Sequence, residues 1–178
     1  KEIRKHRESP DIFSEDDKEI LLNDEQRTSL ETLTEAIKED IFRVFLLHGI
    51  TGSGKTEVYI QTIKEVLKTG KTAIVLVPEI SLTPQLIYRF KMKFDDKVGV
   101  IHSRLSDGEK LDTYDRIRSG KYKIIIGARS ALFAPLKDIG IIIVDEEHDS
   151  SYKQDNSPRY NGRDAAIYRA RLNNAVVV

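Results

Sequence analysis

Short apolar runs alternate with amphipathic stretches along most of the chain. Six runs of four or five residues are rich in β-branched residues and have the length of buried strands, at 44–48, 73–77, 98–101, 123–127, 141–145 and 175–178. Apolar residues at helical spacing predict helices between these runs, at 55–69, 82–94, 106–118 and 163–173. Strands that alternate with helices predict an α/β fold, with a mostly parallel sheet covered by helices on both faces.

A further helix is predicted before the first apolar run. Asn23 or Asp24 is suited to cap it, because their side-chain oxygens accept hydrogen bonds from the free amides of a first helical turn. Leu33 and Ile37 then fall on one face at helical spacing, and the pattern ends before Phe42. We therefore expect the folded lobe to begin at residue 23.

The first 22 residues differ in composition from the rest of the chain. They are dense in charge, contain Pro10 and show little apolar periodicity, which indicates a linker or the tail of a preceding domain. Residues 23–178 are expected to form a single lobe. Because the last apolar run stops at Val178 with no polar residue after it, we expect this lobe to belong to a longer protein.

Composition narrows the class of protein. The chain has no run of about 18 apolar residues, which argues against a membrane-spanning helix, and no secretory signal opens it, so a cytoplasmic protein is expected. It has no cysteine, which excludes thiolate zinc sites in these residues, and zinc is not expected. Lys plus Arg equals Asp plus Glu at 29 each, so net charge gives no argument for a nucleic-acid partner. Any such partner has to be inferred from motifs.

One glycine-rich segment has the pattern of a phosphate-binding loop. Residues 49–56, GITGSGKT, fit G-x-x-x-x-G-K-[ST] and lie between a predicted strand and a predicted helix. Amides of such a loop and of the helix N-terminus hold phosphates, Lys55 reaches the β and γ phosphates, and the Thr56 hydroxyl binds Mg²⁺. A glycine-rich turn without a ligand is the alternative. The residues expected to bind ATP here are Gly49, Thr51, Gly52, Ser53, Gly54, Lys55 and Thr56.

An acidic motif follows the fifth apolar run. Asp145, Glu146, Glu147 and His148 come directly after IIIV at 141–144, at the end of a predicted strand, where α/β sheets bind ligands. There we expect Asp145 to hold Mg²⁺, and Glu146 to orient and deprotonate the water that attacks the phosphate. A solvated acidic loop is the alternative. Charge at the end of a buried strand needs a partner, however, and the phosphate loop supplies one.

Together the two motifs resemble motifs I and II of superfamily 2 helicases. Four further segments narrow the resemblance to the PriA family of primosomal replication-restart helicases, also called primosomal protein N-prime: VPEISLTPQ (77–85), HSRLSDGEK (102–110), GARSALFAP (127–135) and SYKQDNSPRYNGRDAA (151–166). The resemblance implies the first RecA-like lobe of an ATP-dependent DNA helicase. Such an enzyme couples ATP hydrolysis to DNA unwinding or translocation in replication restart and primosome assembly.

The resemblance also implies roles for single residues. Gln26, in LNDEQ, looks like the glutamine ahead of motif I that contacts adenine, and Glu146 looks like the catalytic base. The resemblance to motif II also implies that His148 is a catalytic residue, together with Lys55, Asp145 and Glu146. The implied partners are single-stranded and forked DNA, a second RecA-like lobe of the same chain, other primosome proteins and single-strand-binding protein, with no membrane.

Polar loops at the predicted strand ends are the candidate nucleic-acid contacts. Two loops suit phosphate contacts that do not depend on base sequence: residues 78–84 offer hydroxyls, and residues 127–130 offer a cation and a hydroxyl. Residues 150–163 contain aromatic residues among cations, which suit stacking on unpaired bases. The alternatives are ordinary turns and tyrosines that pack on the domain. Asn161 and Gly162 depart from the family's usual His-Ala, so the detailed role of that loop stays open. The assigned residues are Ser81, Thr83, Arg129, Ser130, Tyr152, Lys153, Arg159 and Tyr160.

Parts that the resemblance implies are absent from this sequence. They include a second lobe with an arginine finger, a cysteine-rich zinc insert and N-terminal DNA-binding domains, so the isolated lobe is expected to be nearly inactive. Two other functions stay open, namely a superfamily 2 translocase that does not separate strands, and a P-loop kinase or nucleotide-binding regulator. A kinase would need a lid and an acceptor pocket, for which the sequence shows no motif.

Overall fold

The computed structural model describes residues 21–50 and 52–178. The linker predicted at 1–22 therefore lies outside the described residues except for its last two, which have no regular secondary structure. The assignment of Thr51 to the phosphate loop also lies outside them. In the part of the chain that the structure describes, no helix is long and apolar enough to cross a membrane.

Helices and strands alternate in the order that the apolar runs predict. The described residues contain five α-helices: α1 (Asp24–Glu39), α2 (Lys55–Lys68), α3 (Pro84–Phe94), α4 (Asp107–Arg118) and α5 (Gly162–Leu172). They contain eight strands: β1 (Arg43–Val44), β2 (Thr72–Leu76), β3 (Val98–Ile101), β4 (Ile124–Gly127), β5 (Ile139–Val144), β6 (Lys153–Gln154), β7 (Tyr160–Asn161) and β8 (Val176–Val177).

Six of the strands form one sheet, in the order β1-β8-β5-β2-β4-β3, and every neighbouring pair is parallel. Strands that run parallel end at the same edge of a sheet, so the segments that follow β1, β2, β4 and β5 meet there. The two remaining strands, β6 and β7, form a separate antiparallel hairpin. The edge at which the parallel strands end, here called the carboxyl edge, therefore carries the glycine-rich segment, the acidic motif and the polar loops.

Side chains of β2 alternate between two layers of helices. Ala73 and Val75 pack into a core that includes α1, α2 and α3, whereas Ile74 and Leu76 pack into a core that includes α4 and α5. All four residues are buried. Burial on both faces explains why the run is continuously apolar instead of alternating with polar residues. The predicted α/β fold, with a mostly parallel sheet and helices on both faces, is confirmed.

Reciprocal side-chain caps define where α1 and α4 begin. The side chain of Asn23 accepts a hydrogen bond from the amide of Gln26, and the Gln26 side chain accepts one from the amide of Asn23. Ser106 and Glu109 form the same pair at α4. Each pair satisfies amides that lack a partner within the helix. The cap at Asn23 also holds Gln26 beside the glycine-rich segment.

Two parts of the strand pattern differ from the prediction. β1 pairs only over Arg43–Val44 and does not extend through 44–48, although the Phe45 amide still donates to the Val177 carbonyl at 2.8 Å. Beyond that bond the chain leaves the sheet and approaches the glycine-rich segment. The apolar pattern does not predict the hairpin of β6 and β7 either, because strands of two residues are too short to show periodicity.

Candidate functional site

A cavity of about 560 Å³ opens at the carboxyl edge, between the ends of β1, β5 and β8 and the start of α2. Residues of the glycine-rich segment and of the acidic motif face each other across it. The lining residues that carry the predicted chemistry are Gly49, Lys55, Asp145, Glu146 and His148. The fold therefore brings together the two segments that the sequence analysis paired.

Glycines shape the segment that leads into α2. Gly52 and Gly54 have φ angles of +84° and +85°, in the left-handed region that glycine tolerates best. Gly54 is the residue before the first turn of α2, and among the described residues no side chain caps that turn. The amides of α2 that precede Glu57, whose own amide donates to the Gly54 carbonyl at 2.9 Å, are therefore suited to bind an anion at the helix N-terminus.

Lys55 folds back over this segment. Its ammonium nitrogen donates a hydrogen bond to the Gly49 carbonyl at 2.7 Å and lies 3.5 Å from the Ile50 carbonyl. It also lies 3.8 Å from a carboxylate oxygen of Glu146, while the Lys55 side chain is only 18% exposed. A largely enclosed cation thus sits between the glycine-rich segment and the acidic motif.

Gln26 packs against the same segment from α1. Its side-chain amide donates to the Ser53 carbonyl at 2.9 Å, while its side-chain oxygen caps α1. A Cβ atom added at Gly54 would lie 2.3 Å from the Gln26 amide nitrogen. Gln26 therefore borders the predicted nucleotide site, and its contact with adenine remains a prediction.

Asp145 is held at the end of β5 through both its backbone and its side chain. Its amide donates to the Leu76 carbonyl at 2.9 Å, and its carbonyl accepts from the Tyr152 hydroxyl at 2.7 Å. Its carboxylate accepts from the Tyr59 hydroxyl at 3.1 Å. Burial raises the pKa of Asp145, and burial also raises the pKa of Tyr59 and Tyr152, so both tyrosines remain protonated donors.

The residues after Asp145 turn toward the cavity. Glu146 has a φ of +49°, and its carboxylate is 3.7 Å from the exposed His148 ring as well as near Lys55. Glu147 points to α5 instead, where it forms an ion pair of 2.9 Å with Arg163. Of the two glutamates, Glu146 is therefore the one that approaches the lysine of the glycine-rich segment.

A second pocket, of about 330 Å³, lies farther along the carboxyl edge. It is bordered by the segments after β2, β3 and β4 and by the hairpin of β6 and β7. Three of the predicted nucleic-acid contacts, Arg129, Ser130 and Tyr160, line it. Ser81 and Thr83 flank the start of α3, where the Thr83 side chain accepts from the Leu86 amide at 3.3 Å.

Arg129 connects this edge to the hairpin. Its guanidinium donates to the Ser151 carbonyl at 3.0 Å and to the Lys153 carbonyl, and it lies 5.5 Å from the centre of the Tyr160 ring. Phe133, which the sequence analysis missed, contacts the same ring edge-on at 5.3 Å. Arg129 therefore holds the hairpin in place, a role that its position after a strand does not predict.

The hairpin residues differ in accessibility. Lys153 and Arg159 are exposed, and the Arg159 guanidinium donates to the Asp155 carbonyl at 3.0 Å. Tyr152 is only 1% exposed and packs in the core beneath the sheet edge. Its ring offers no free face to a base in this conformation, so the structure corrects the prediction that Tyr152 stacks on nucleic acid. The alternative of a tyrosine packed on the domain holds for this residue.

Comparisons with known proteins agree with the motifs. The chain is 54% identical to the replication restart protein PriA of Bacillus subtilis over 157 residues, which cover 88% of this chain and 20% of that protein. It is 56% identical to PriA of Haemophilus influenzae over 137 residues, which cover 77% and 19% of the two chains. The resemblance to the PriA family is confirmed. The chain spans about a fifth of the length of these curated relatives.

Solved structures share the fold at low sequence identity. A type ISP restriction-modification enzyme, the nuclease-deletion mutant of LlaGI in complex with a DNA substrate mimic, matches with a TM-score of 0.54 and 16% identity, over 74% of this chain and 15% of that one. The C-terminal part of the Fun30 ATPase domain matches with a TM-score of 0.50 and 14% identity, over 74% of this chain and 42% of that one.

The family described as type III restriction enzyme, res subunit, matches residues 19–173, and the chain belongs to that family.

Proposed function

We propose that this chain is the first RecA-like, ATP-binding lobe of a DNA helicase that acts in replication restart. The observation that carries the proposal is the meeting of Lys55, Asp145 and Glu146 across one cavity at the carboxyl edge. The PriA relatives, named as replication restart proteins, support the biological role. We place the protein in the cytoplasm on the same basis.

ATP would bind with its phosphates against the glycine-rich segment. The amides at the start of α2 and the Lys55 ammonium supply positive charge to phosphate oxygens. The Lys55 ammonium donates to the Gly49 carbonyl at 2.7 Å, and its other N–H groups would donate to phosphate oxygens. Gln26, which lies beside Gly54, would contact the adenine end of the nucleotide.

The oxygen donors at the site fit Mg²⁺. Thr56 offers a hydroxyl in the first turn of α2, and Asp145 offers a carboxylate at the end of β5. Within the described ranges, no group of three or more His, Cys, Asp or Glu side chains is placed to hold a metal ion. With the two oxygen donors of Thr56 and Asp145, Mg²⁺ would take its remaining ligands from phosphates and water. When bound, Mg²⁺ would neutralise part of the charge on the transferred phosphate.

Hydrolysis would then depend on Glu146 and Lys55. Glu146, with 35% of its side chain exposed, can orient a water molecule and accept its proton, while Lys55 stabilises the phosphate charge. His148 lies close enough to Glu146 to influence its orientation. An arginine finger from a second lobe, which we include among the proposed partners, would complete the site.

The DNA strand would cross the carboxyl edge. Hydroxyls of Ser81, Thr83 and Ser130 suit phosphate contacts, and the exposed Lys153 and Arg159 add positive charge. Tyr160 is the hairpin aromatic that remains partly accessible for stacking, although it already contacts Arg129 and Phe133. Single-strand-binding protein and other primosome proteins complete the proposed partners.

The test is phosphate release by the complete protein, with and without single-stranded DNA. We expect DNA to stimulate turnover, and we expect Glu146→Gln to slow hydrolysis at least about 100-fold while nucleotide affinity is retained, because an amide cannot accept the proton. Glu35→Gln, at an exposed position on α1, is the matched control. An ATP turnover rate that is the same with and without DNA would favour a P-loop regulator. A turnover rate that DNA raises without any separation of strands would favour a translocase.

A further inference from the structure

Tyr59 and Lys55 lie on the same face of α2. They are four residues apart, which places their side chains one above the other along a helix. Both project toward the acidic motif, because the Lys55 ammonium is 3.8 Å from the Glu146 carboxylate and the Tyr59 hydroxyl is 3.1 Å from the Asp145 carboxylate. One helical face therefore meets both acidic residues, and only its lysine belongs to the phosphate-loop pattern.

The Tyr59 ring and hydroxyl have different surroundings. Tyr59 is 5% exposed, and it belongs to the core that includes residues of α1, α2 and α3. Tyr59 also lines the cavity at the carboxyl edge, where its hydroxyl reaches Asp145. The packed ring fixes the position of the hydroxyl at the cavity.

Two sets of contacts hold Asp145, and they act on different parts of the residue. Leu76 and Tyr152 bond to its backbone amide and carbonyl, which fixes the main chain at the end of β5. Neither of these contacts reaches the carboxylate. The carboxylate accepts a hydrogen bond from the backbone amide of the next residue, Glu146, and one from the Tyr59 hydroxyl at 3.1 Å. Tyr59 is thus a side chain from another element that holds the carboxylate, and its hydroxyl helps to fix the direction in which Asp145 points.

We propose that Tyr59 is a positioning residue for the divalent cation that accompanies the nucleotide. By holding the Asp145 carboxylate, its hydroxyl prepares the cation end of the site, while the phosphate-binding segment does not depend on it. Groups that orient a metal ligand in this way typically change metal affinity about 10- to 100-fold when they are removed. The inference rests on the proposed function, since it requires that Asp145 act on a cation.

The test separates metal binding from nucleotide binding in the 178-residue chain. Mn²⁺ affinity in the presence of saturating ADP is measured by electron paramagnetic resonance, and ADP affinity in the presence of chelator is measured by calorimetry. For Tyr59→Phe we expect Mn²⁺ affinity to fall at least about tenfold and metal-free ADP affinity to stay within about twofold. Tyr168→Phe, on α5 and 66% exposed, is the control and should leave both unchanged.

A second comparison tests whether the effect passes through Asp145. In an Asp145→Asn background, Tyr59→Phe should have no further effect on Mn²⁺ affinity, because the carboxylate that it orients is gone. An unchanged Mn²⁺ affinity in Tyr59→Phe, an equal fall in both affinities, or an undiminished effect beside Asp145→Asn would overturn the proposal. Loss of folding in Tyr59→Phe would also overturn it, since the ring stays packed. If the wild-type chain binds neither ADP nor Mn²⁺ with ADP, the proposed function fails instead.

Discussion

The contact between Gln26 and the glycine-rich segment can be isolated with a pair of alanine substitutions. Gly52 and Gly54 share the same left-handed backbone, with φ angles of +84° and +85°. A Cβ at Gly52 would meet no atom within 4 Å, whereas a Cβ at Gly54 would lie 2.3 Å from the Gln26 side-chain nitrogen. The two substitutions therefore cost the same backbone strain and differ in whether they displace Gln26.

The magnitudes follow from these contacts. Alanine in the left-handed region costs about 1 kcal/mol relative to glycine, which is the whole cost expected for Gly52→Ala. Gly54→Ala also breaks the hydrogen bond from Gln26 to the Ser53 carbonyl, which adds about 1 kcal/mol. Gln26 ends in a flexible amide that can move aside, and a loss of its bond from the Asn23 amide would add to this cost. For a chain of this length the extra cost corresponds to a melting temperature about 2–4 °C lower than that of Gly52→Ala.

Denaturant unfolding of the two variants measures this difference directly. In a Gln26→Ala background the costs of Gly52→Ala and Gly54→Ala should become equal, so the cycle gives a coupling of about 1 kcal/mol between positions 26 and 54. If the two substitutions cost the same with Gln26 present, Gln26 does not pack on Gly54. In that case the placement of Gln26 beside the nucleotide site is wrong.

Three further predictions follow from the packing, the caps and the open cavity. Gly127→Ala places a Cβ 2.1 Å from the Ile101 carbonyl, so it should destabilise the lobe by about 3 kcal/mol in denaturant unfolding. Gly108→Ala, in the first turn of α4 and with no atom within 4 Å, should be neutral or slightly stabilising. Ser106→Ala should raise the pKa of Glu109 in an NMR titration, because the Ser106 hydroxyl and amide hold that pKa below its ordinary value. The 178-residue chain alone should release phosphate at least about 1,000-fold more slowly than the complete protein, because a second lobe would supply the arginine finger.

Each of these has an outcome that would contradict it. Equal unfolding midpoints for Gly127→Ala and Gly108→Ala would show that β3 and β4 do not approach as closely as the structure indicates. The stability that the bond between Ser106 and Glu109 contributes should be present above the ordinary carboxyl pKa and should be lost as pH falls through the lowered pKa of Glu109. If Ser106→Ala leaves the pKa of Glu109 unchanged, the two side chains do not form that bond. If the 178-residue chain alone hydrolyses ATP at the rate of a complete motor protein, the arginine finger lies within these residues.

Local signals predicted the parts of the fold that the chain determines by itself. The capping residue Asn23 and the continuous apolar run at 73–77 give the start of α1 and the buried strand β2 within a residue or so. The phosphate segment and the acidic motif were paired from sequence because each follows a buried strand. Both signals depend on neighbouring residues, and the topology of parallel strands then brings the segments together.

Contacts between distant segments could not be predicted in the same way. Nothing near Arg129 in sequence indicates that its guanidinium bonds to carbonyls more than twenty residues away, and nothing near Tyr152 indicates that its hydroxyl reaches Asp145. Tyr59 is a partial exception, since its spacing of four from Lys55 places it on the same helical face. Burial then decides which aromatic residues pack in the core and which remain accessible.

The proposed function requires this lobe to bind a nucleotide through the segment at 49–56. Calorimetric titration of the 178-residue chain with ADP and Mg²⁺ measures that binding, with Lys55→Ala as the variant and Lys38→Ala, exposed on α1, as the control. We expect one saturable site in the wild-type and control chains. Lys55→Ala should weaken it roughly 100-fold, because two charge-assisted hydrogen bonds to phosphate are lost. Equal affinity in the folded Lys55→Ala variant, or no binding to the wild-type chain, would show that the segment at 49–56 is not a nucleotide site.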